Sequence, residues 1–219
     1  MLEPFDITVN NWHLKIREPD SAGPHSVILL IHGWTGDENS MWVFAPRLPK
    51  NALLIAPRAP YVSRHPEIGG CSWVEERGDS FSHLAQFANA ILTFDELIAD
   101  LGGKYAGDFS RFGMVGFSQG AAFCFAFAMS NPHRIDRLAS LAGFMPSETQ
   151  AGDLANLKDI PTFIAHGVKD ETVPVTMARE ARQSLESAGA QVSYCESDTG
   201  HKLGANCYSA FADFFGNNP

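Results

Sequence analysis

Residues 111–122 read Arg-Phe-Gly-Met-Val-Gly-Phe-Ser-Gln-Gly-Ala-Ala, and this stretch decides the fold. The apolar run 111–117 is typical of a buried strand, and the apolar run from 119 onward is typical of a buried helix. Between them, residues 116–120 have the spacing G-x-S-x-G. A sharp strand-to-helix turn of this kind exposes a serine oxygen beside the free N–H groups of a helix N-terminus. The pattern therefore indicates Ser118 as a candidate nucleophile.

The same region raises the question of a membrane span. Residues 112–131 contain no charged side chain, and a run of that length could cross a bilayer. However, the glycine-rich turn interrupts the run, and Ala, Gly and Ser are frequent in it. We interpret it as a buried strand, a turn and a buried helix, and we predict no stable membrane insertion.

Outward from this turn, short apolar runs alternate with helical patterns. Parallel neighbouring strands need crossover connections, so the alternation predicts one domain over residues 1–219, with a mainly parallel sheet and helices on both faces. The candidate strands are Val27–Ile31, Leu53–Ala56, Arg111–Phe117, Arg137–Leu141, Thr162–Ala165 and Val192–Glu196, preceded by a hairpin of Ile7–Val9 and His13–Arg17. The other candidate helices are 82–101, 174–189 and 205–215.

A serine nucleophile needs a base, and the base needs an acid that orients it. His201 follows the last candidate strand after a short polar loop, and Asp170 follows the strand 162–165. Ligands bind beyond the carboxyl ends of strands in such sheets, and the chain order nucleophile, acid, base suits this turn. We therefore predict a triad of Ser118, Asp170 and His201, with Glu171 as the alternative acid.

Two backbone N–H groups should stabilise the negative charge that develops on the substrate oxygen. One is expected from Gln119, directly after the nucleophile. The other is expected from the loop after strand 27–31, where we predict Trp34, with Thr35 as the alternative. His32 at the start of this loop is interpreted as a structural histidine.

Composition excludes several classes of function. The 219 residues carry 16 basic and 25 acidic side chains, a formal net charge of −9, so a nucleic-acid partner is not expected. The histidines and carboxylates have no metal-ligand spacing, and we predict neither a metal nor another cofactor. The N-terminus lacks the features of a signal peptide, which predicts a cytoplasmic protein with reduced cysteines. A disulfide between Cys195 and Cys207, which bracket His201, is the disfavoured alternative.

Several stretches together resemble the phospholipase/carboxylesterase family, which includes acyl-protein thioesterases. They are Leu30–Trp34, Ala56–Pro60, Ser72-Trp73, Gly116–Ala122, Leu141–Phe144, His166-Gly167 with Asp170 and Val173-Pro174, and Gly200-His201. The resemblance implies an α/β-hydrolase fold with no large cap domain, and it implies the same triad and the same oxyanion amides of Trp34 and Gln119. The chain has Trp34-Thr35-Gly36 where the eukaryotic thioesterases have an aliphatic residue and Gly-Asp, which favours small esters.

The connection Pro57–Phe81 is long for a compact domain, and such loops are often functional. Trp73, Phe144, Met145 and Met41 could wall an apolar acyl site, and each could equally belong to the core. The sequence favours a serine carboxylesterase that acts on short- to medium-chain esters through an acyl-enzyme. An acyl thioesterase or lysophospholipase is the alternative, and a non-catalytic binding protein on the same fold is a weaker one. A homodimer is left open.

Overall fold

A computed structural model describes residues 3–65, 67–75 and 81–216. The strands are β1 (Phe5–Val9), β2 (Trp12–Arg17), β3 (His25–Ile31), β4 (Leu53–Pro57), β5 (Tyr61–Val62), β6 (Cys71–Ser72), β7 (Gly107–Phe117), β8 (Ile135–Leu141), β9 (Thr162–Gly167) and β10 (Val192–Ser197). The α-helices are α1 (Ala88–Gly102), α2 (Gln119–Ser130), α3 (Ala151–Ala155), α4 (Val175–Ser187) and α5 (Ala205–Gly216). Short 3₁₀ helices cover Trp42–Arg47, Leu84–Phe87 and Pro132–Arg134.

Eight strands form one sheet in the order β1-β2-β4-β3-β7-β8-β9-β10. Strands β1 and β2 form an antiparallel hairpin, and β2 pairs antiparallel with β4. The pairs from β4 to β10 are all parallel. The carboxyl ends of β3, β7, β8, β9 and β10 consequently share one edge of the sheet.

Both faces of the sheet are covered, which explains why its central strands are apolar along their length. Helices α1, α2 and α4 pack on one face, and α5 with the 3₁₀ helix Trp42–Arg47 packs on the other. Every α2 residue from Gln119 to Met129 is buried. The uncharged run 112–131 is therefore a strand, a turn and a core helix, and none of the described helices is long and apolar enough to cross a bilayer.

The predicted fold class is confirmed, with differences at element ends. Strand β7 begins at Gly107 rather than Arg111, and the helix predicted over 82–101 begins as a 3₁₀ turn before α1. The connection Pro57–Phe81 contains the small antiparallel hairpin β5–β6. Residues 66 and 76–80 of this connection lie outside the described part of the chain.

The prediction of reduced cysteines is wrong for one pair. Cys195 in β10 and Cys207 in α5 form a disulfide, with their Cα atoms 5.6 Å apart. The prediction rested on the cellular compartment, whereas the fold itself brings the two residues together: α5 returns from the His201 loop and packs against β10. Cys71 and Cys124 carry free thiols.

Candidate active site

Ser118 occupies a strained turn between β7 and α2. Its backbone has φ 53° and ψ −119°, a conformation that L-residues rarely adopt. The flanking glycines are required, because a Cβ at Gly116 would lie 2.5 Å from the Gly120 carbonyl oxygen, and one at Gly120 would lie 2.3 Å from the Ile31 carbonyl oxygen. The local sequence therefore builds a tight turn that presents the serine at the carboxyl edge of the sheet.

Asp170 and His201 are brought together by the ends of β9 and β10. His201 Nδ1 donates a hydrogen bond to Asp170 Oδ2 at 2.7 Å, and the Asp170 side chain is fully buried. Asp170 Oδ1 accepts the backbone N–H groups of Thr172 and Val173, each at 2.9 Å. This contact to His201 belongs to Asp170, whereas Glu171 is exposed. Since Nδ1 is engaged, Nε2 is the ring nitrogen of His201 that can exchange a proton with a hydroxyl.

His166 is a third member of this cluster, and from the sequence it was a residue of the family motif with no role assigned. Its Nε2 donates to the Val173 carbonyl oxygen at 2.8 Å and lies 3.3 Å from Asp170 Oδ2. Burial lowers the pKa of His166, so it stays neutral and helps to fix the acid loop. Its position at the end of β9, four residues before Asp170, is the feature of the sequence that could have indicated this role. Within the described residues, no group of three or more His, Cys, Asp or Glu side chains could hold a metal ion.

The loops that carry the acid and the base are packed backbone against backbone. Val168 N donates to the Ser197 carbonyl oxygen, and Lys169 N donates to that of Thr199, both at 2.9 Å. A Cβ at Gly167 would lie 2.1 Å from the carbonyl oxygen of Gly200. The distance between Asp170 and His201 is thus set by main-chain contacts rather than by side chains alone.

The loop after β3 is held by His32, the histidine for which a structural role is predicted from the sequence. His32 Nδ1 donates to the Gly33 carbonyl oxygen at 2.7 Å, and Nε2 accepts the Ala59 N–H at 2.9 Å. The Trp73 indole N–H donates to the His32 carbonyl oxygen at 2.8 Å. Burial lowers the pKa of His32 to about 4, so the ring is neutral and can make both bonds near neutral pH.

The backbone N–H groups considered for the oxyanion hole include those of Thr35 and Gln119. The Thr35 N–H donates to the Cys71 carbonyl oxygen at 2.9 Å, which argues against Thr35 as the alternative to Trp34. Gln119 is the first residue of α2, where backbone N–H groups have no partner within the helix. The Gln119 side-chain oxygen accepts a hydrogen bond from the Trp73 backbone N–H at 3.0 Å, so the side chain is held by the core.

A cavity of about 660 Å³ opens over these residues. Ser118, Gln119 and His201 line it together with Trp34, and two predicted pocket residues, Met41 and Phe144, also line it. The other two predicted pocket residues lie elsewhere. Trp73 is fully buried in the core, where its ring stacks on Phe123 at 4.3 Å, and Met145 packs against the same core cluster.

The chain is similar to known esterases along most of its length. The family profile described as phospholipase/carboxylesterase matches residues 11–214. The chain is 26% identical over 199 residues to Esterase YpfH of Escherichia coli (strain K12), covering 87% of this chain and 82% of that protein. It is 32% identical over 76 residues to acyl-protein thioesterase 1 of Kluyveromyces lactis, 32% of each chain.

Solved structures support the fold. A carboxylesterase from Mesorhizobium loti superposes with a TM-score of 0.79 at 19% identity, covering 98% of this chain and 99% of that chain. Esterase PE8 superposes with a TM-score of 0.78 at 21% identity, covering 91% of this chain and 95% of that one. The family profile spans nearly the whole chain, and the chain therefore belongs to the phospholipase/carboxylesterase family of α/β-hydrolases, enzymes that act on esters.

Proposed function

We propose that this enzyme is a serine carboxylesterase that hydrolyses short- to medium-chain esters through an acyl-enzyme. The observation that carries the proposal is the 2.7 Å hydrogen bond between His201 and a fully buried Asp170, at a cavity that Ser118 also lines. A histidine oriented in this way can accept the proton of a serine hydroxyl.

The reaction follows from these positions. Ser118 Oγ attacks the ester carbonyl carbon while His201 Nε2 takes the hydroxyl proton, and the N–H groups of Trp34 and Gln119 stabilise the oxyanion. His201 then gives the proton to the departing alcohol, which leaves an acyl group on Ser118. A water molecule, deprotonated by His201, releases the acid and restores the serine.

The size and lining of the cavity support a small-molecule ester with an apolar acyl group. A volume of about 660 Å³ falls within the range of small-molecule sites. Met41, Phe44 and Phe144 supply buried apolar walls. The cytoplasmic location stays a prediction from the sequence, which leaves a homodimer open.

A thioesterase or lysophospholipase activity has one observation in its favour. Val43 and Ile68 line the cavity yet are 61% and 67% exposed, so an apolar rim continues outward from the site. A longer acyl chain could lie along this rim, since burial of its methylene groups would be favourable.

A chain-length series tests the proposal and separates the alternatives. We expect p-nitrophenyl acetate and butyrate to be hydrolysed with a higher kcat/KM than the palmitate ester or a palmitoyl thioester. Ser118→Ala should abolish turnover, whereas Ser209→Ala, an exposed serine on α5, should retain it. Turnover that survives Ser118→Ala would contradict the assignment of the nucleophile, and a preference for palmitoyl substrates would favour the alternative.

A further inference from the structure

Thr35 combines a strained backbone with a place at the reaction cavity. Its φ is 70°, in the left-handed region, where β-branched residues are true outliers. The other described non-glycine residues with positive φ are Asn10, Asn11, Arg64, Ser118, Ala142 and Glu148, and none of them is β-branched. Glycine or asparagine would fit this conformation with less strain, so the turn alone does not explain a threonine here.

The surroundings of Thr35 hold it firmly in this conformation. Its N–H donates to the Cys71 carbonyl oxygen at 2.9 Å, and Cys71 N donates to the Gly36 carbonyl oxygen at 3.0 Å. On the other side Gly70 packs so closely that a Cβ there would lie 2.0 Å from the Thr35 carbonyl oxygen. Hairpin β5–β6 thus holds Thr35 in place through these backbone contacts. Strain that is enforced in this way is typical of functional sites, where it serves to aim a group.

Thr35 lines the same cavity as Ser118 and His201. In the described part of the chain, Thr35 Oγ1 makes no hydrogen bond to protein. The hydroxyl of Ser72, in strand β6, does make one: it donates to the Val74 carbonyl oxygen at 2.8 Å. Thr35 directly follows Trp34, whose N–H is assigned to the substrate carbonyl oxygen. A hydroxyl at this position would meet the part of the ester attached to that carbonyl carbon.

We infer that Thr35 is a specificity-determining residue whose hydroxyl hydrogen-bonds a hydroxyl group carried by the first or second carbon beyond the scissile carbonyl carbon. The substrate class is an ester of a 2-hydroxy or 3-hydroxy acid. The inference rests on the proposed function, since it needs the carbonyl to be bound at Trp34 and attacked by Ser118. A hydroxyl on the acyl chain would therefore distinguish the preferred esters from simple acyl esters of equal length.

Two substrate pairs test this inference. Phenyl lactate is compared with phenyl propionate, and phenyl 3-hydroxybutyrate with phenyl butyrate, as ratios of kcat/KM. Thr35→Val keeps the β-branched shape but removes the hydroxyl, and we expect it to lower the hydroxy-to-plain ratio of at least one pair by about 2- to 10-fold relative to wild type. Thr35→Ser, which keeps the hydroxyl, should preserve the ratio. Thr176→Val, an exposed threonine on α4 away from the cavity, is the matched control.

Thr35→Gly gives an independent readout, because it relieves the strain. We expect it to raise Tm by about 2–4 °C while it lowers the same ratio. A Thr35→Val enzyme with normal folding and unchanged ratios in both pairs would overturn the inference and leave the esterase proposal intact. Loss of the proposed function would look different: turnover of all four esters would be absent or would survive Ser118→Ala.

Discussion

Because His32 is buried in its neutral form, the enzyme should lose stability between pH 7 and pH 5. Its ring is buried and makes two hydrogen bonds in the neutral form, accepting from Ala59 and donating to Gly33. Burial lowers its pKa to about 4, an effect that nearby Asp37 and Glu38 only partly offset. An unfolded histidine has a pKa of about 6.5. Below that value the unfolded chain binds a proton that the folded protein does not, so stability is lost as the pH falls.

The size of the loss follows from the two pKa values. With about 6.5 in the unfolded chain and about 4 in the folded protein, linkage gives a loss of about 2 kcal/mol between pH 7 and pH 5. His166, whose pKa is also lowered by burial, adds to the wild-type loss in the same direction. A variant at His32 therefore isolates the contribution of His32 to the total loss of stability between pH 7 and pH 5.

The assay is urea unfolding at pH 7 and pH 5, followed by tryptophan fluorescence. We expect His32→Gln to be less stable than wild type at pH 7, because two hydrogen bonds are perturbed, but to lose about 2 kcal/mol less on going to pH 5. His133→Gln, at an exposed histidine, should lose as much as wild type. Equal losses in wild type and His32→Gln would refute the account of His32 as a neutral buried brace.

Three further perturbations act on the acid, the loop contact and the disulfide. Asp170→Asn should lower kcat by about 10⁴-fold because the imidazole loses its orienting acceptor, whereas Glu171→Gln should change it little; the reverse result would move the acid to Glu171. Gly167→Ala should lower kcat/KM on the order of 100-fold by pushing the His201 loop away, while Gly152→Ala, where a Cβ meets nothing within 4 Å, should not. Replacing Cys195 and Cys207 by alanine should lower the free energy of unfolding by about 3 kcal/mol, since the bond spans 12 residues; an unchanged urea midpoint would contradict this.

The alternation of strands and helices along the chain could be predicted from the sequence, and so could the positions of Ser118, Asp170 and His201 after strands. Both predictions rest on local patterns, because apolar runs mark the strands. The carboxyl ends of parallel strands lie at one edge of the sheet, so the residues that follow the strands meet there. His201 and Asp170 were predicted from their positions after strands, and the 2.7 Å hydrogen bond joins these two residues.

What the sequence did not predict depends on contacts between distant segments. Trp73 looked like a pocket residue, but an apolar pattern does not tell which neighbours a ring will meet, and Trp73 packs on Phe123 in the core. Strands β5 and β6 have two residues each, too few for a periodic pattern. The Cys195–Cys207 bond depends on how α5 returns to β10, which spacing alone does not show.

The strain at the carboxyl edge of the sheet is connected to the stability of the elements behind it. Positive φ values occur at Thr35, Ser118 and Ala142, after β3, β7 and β8 respectively. Strained positions of this kind cost on the order of 1–3 kcal/mol each, and they persist only where the neighbouring structure leaves no alternative. Here β3, β7 and β8 are adjacent parallel strands of the sheet interior, and the fully packed α2 runs directly behind them. The uncharged segment that resembled a membrane span thus contains both the turn at Ser118 and the core helix that packs against these strands.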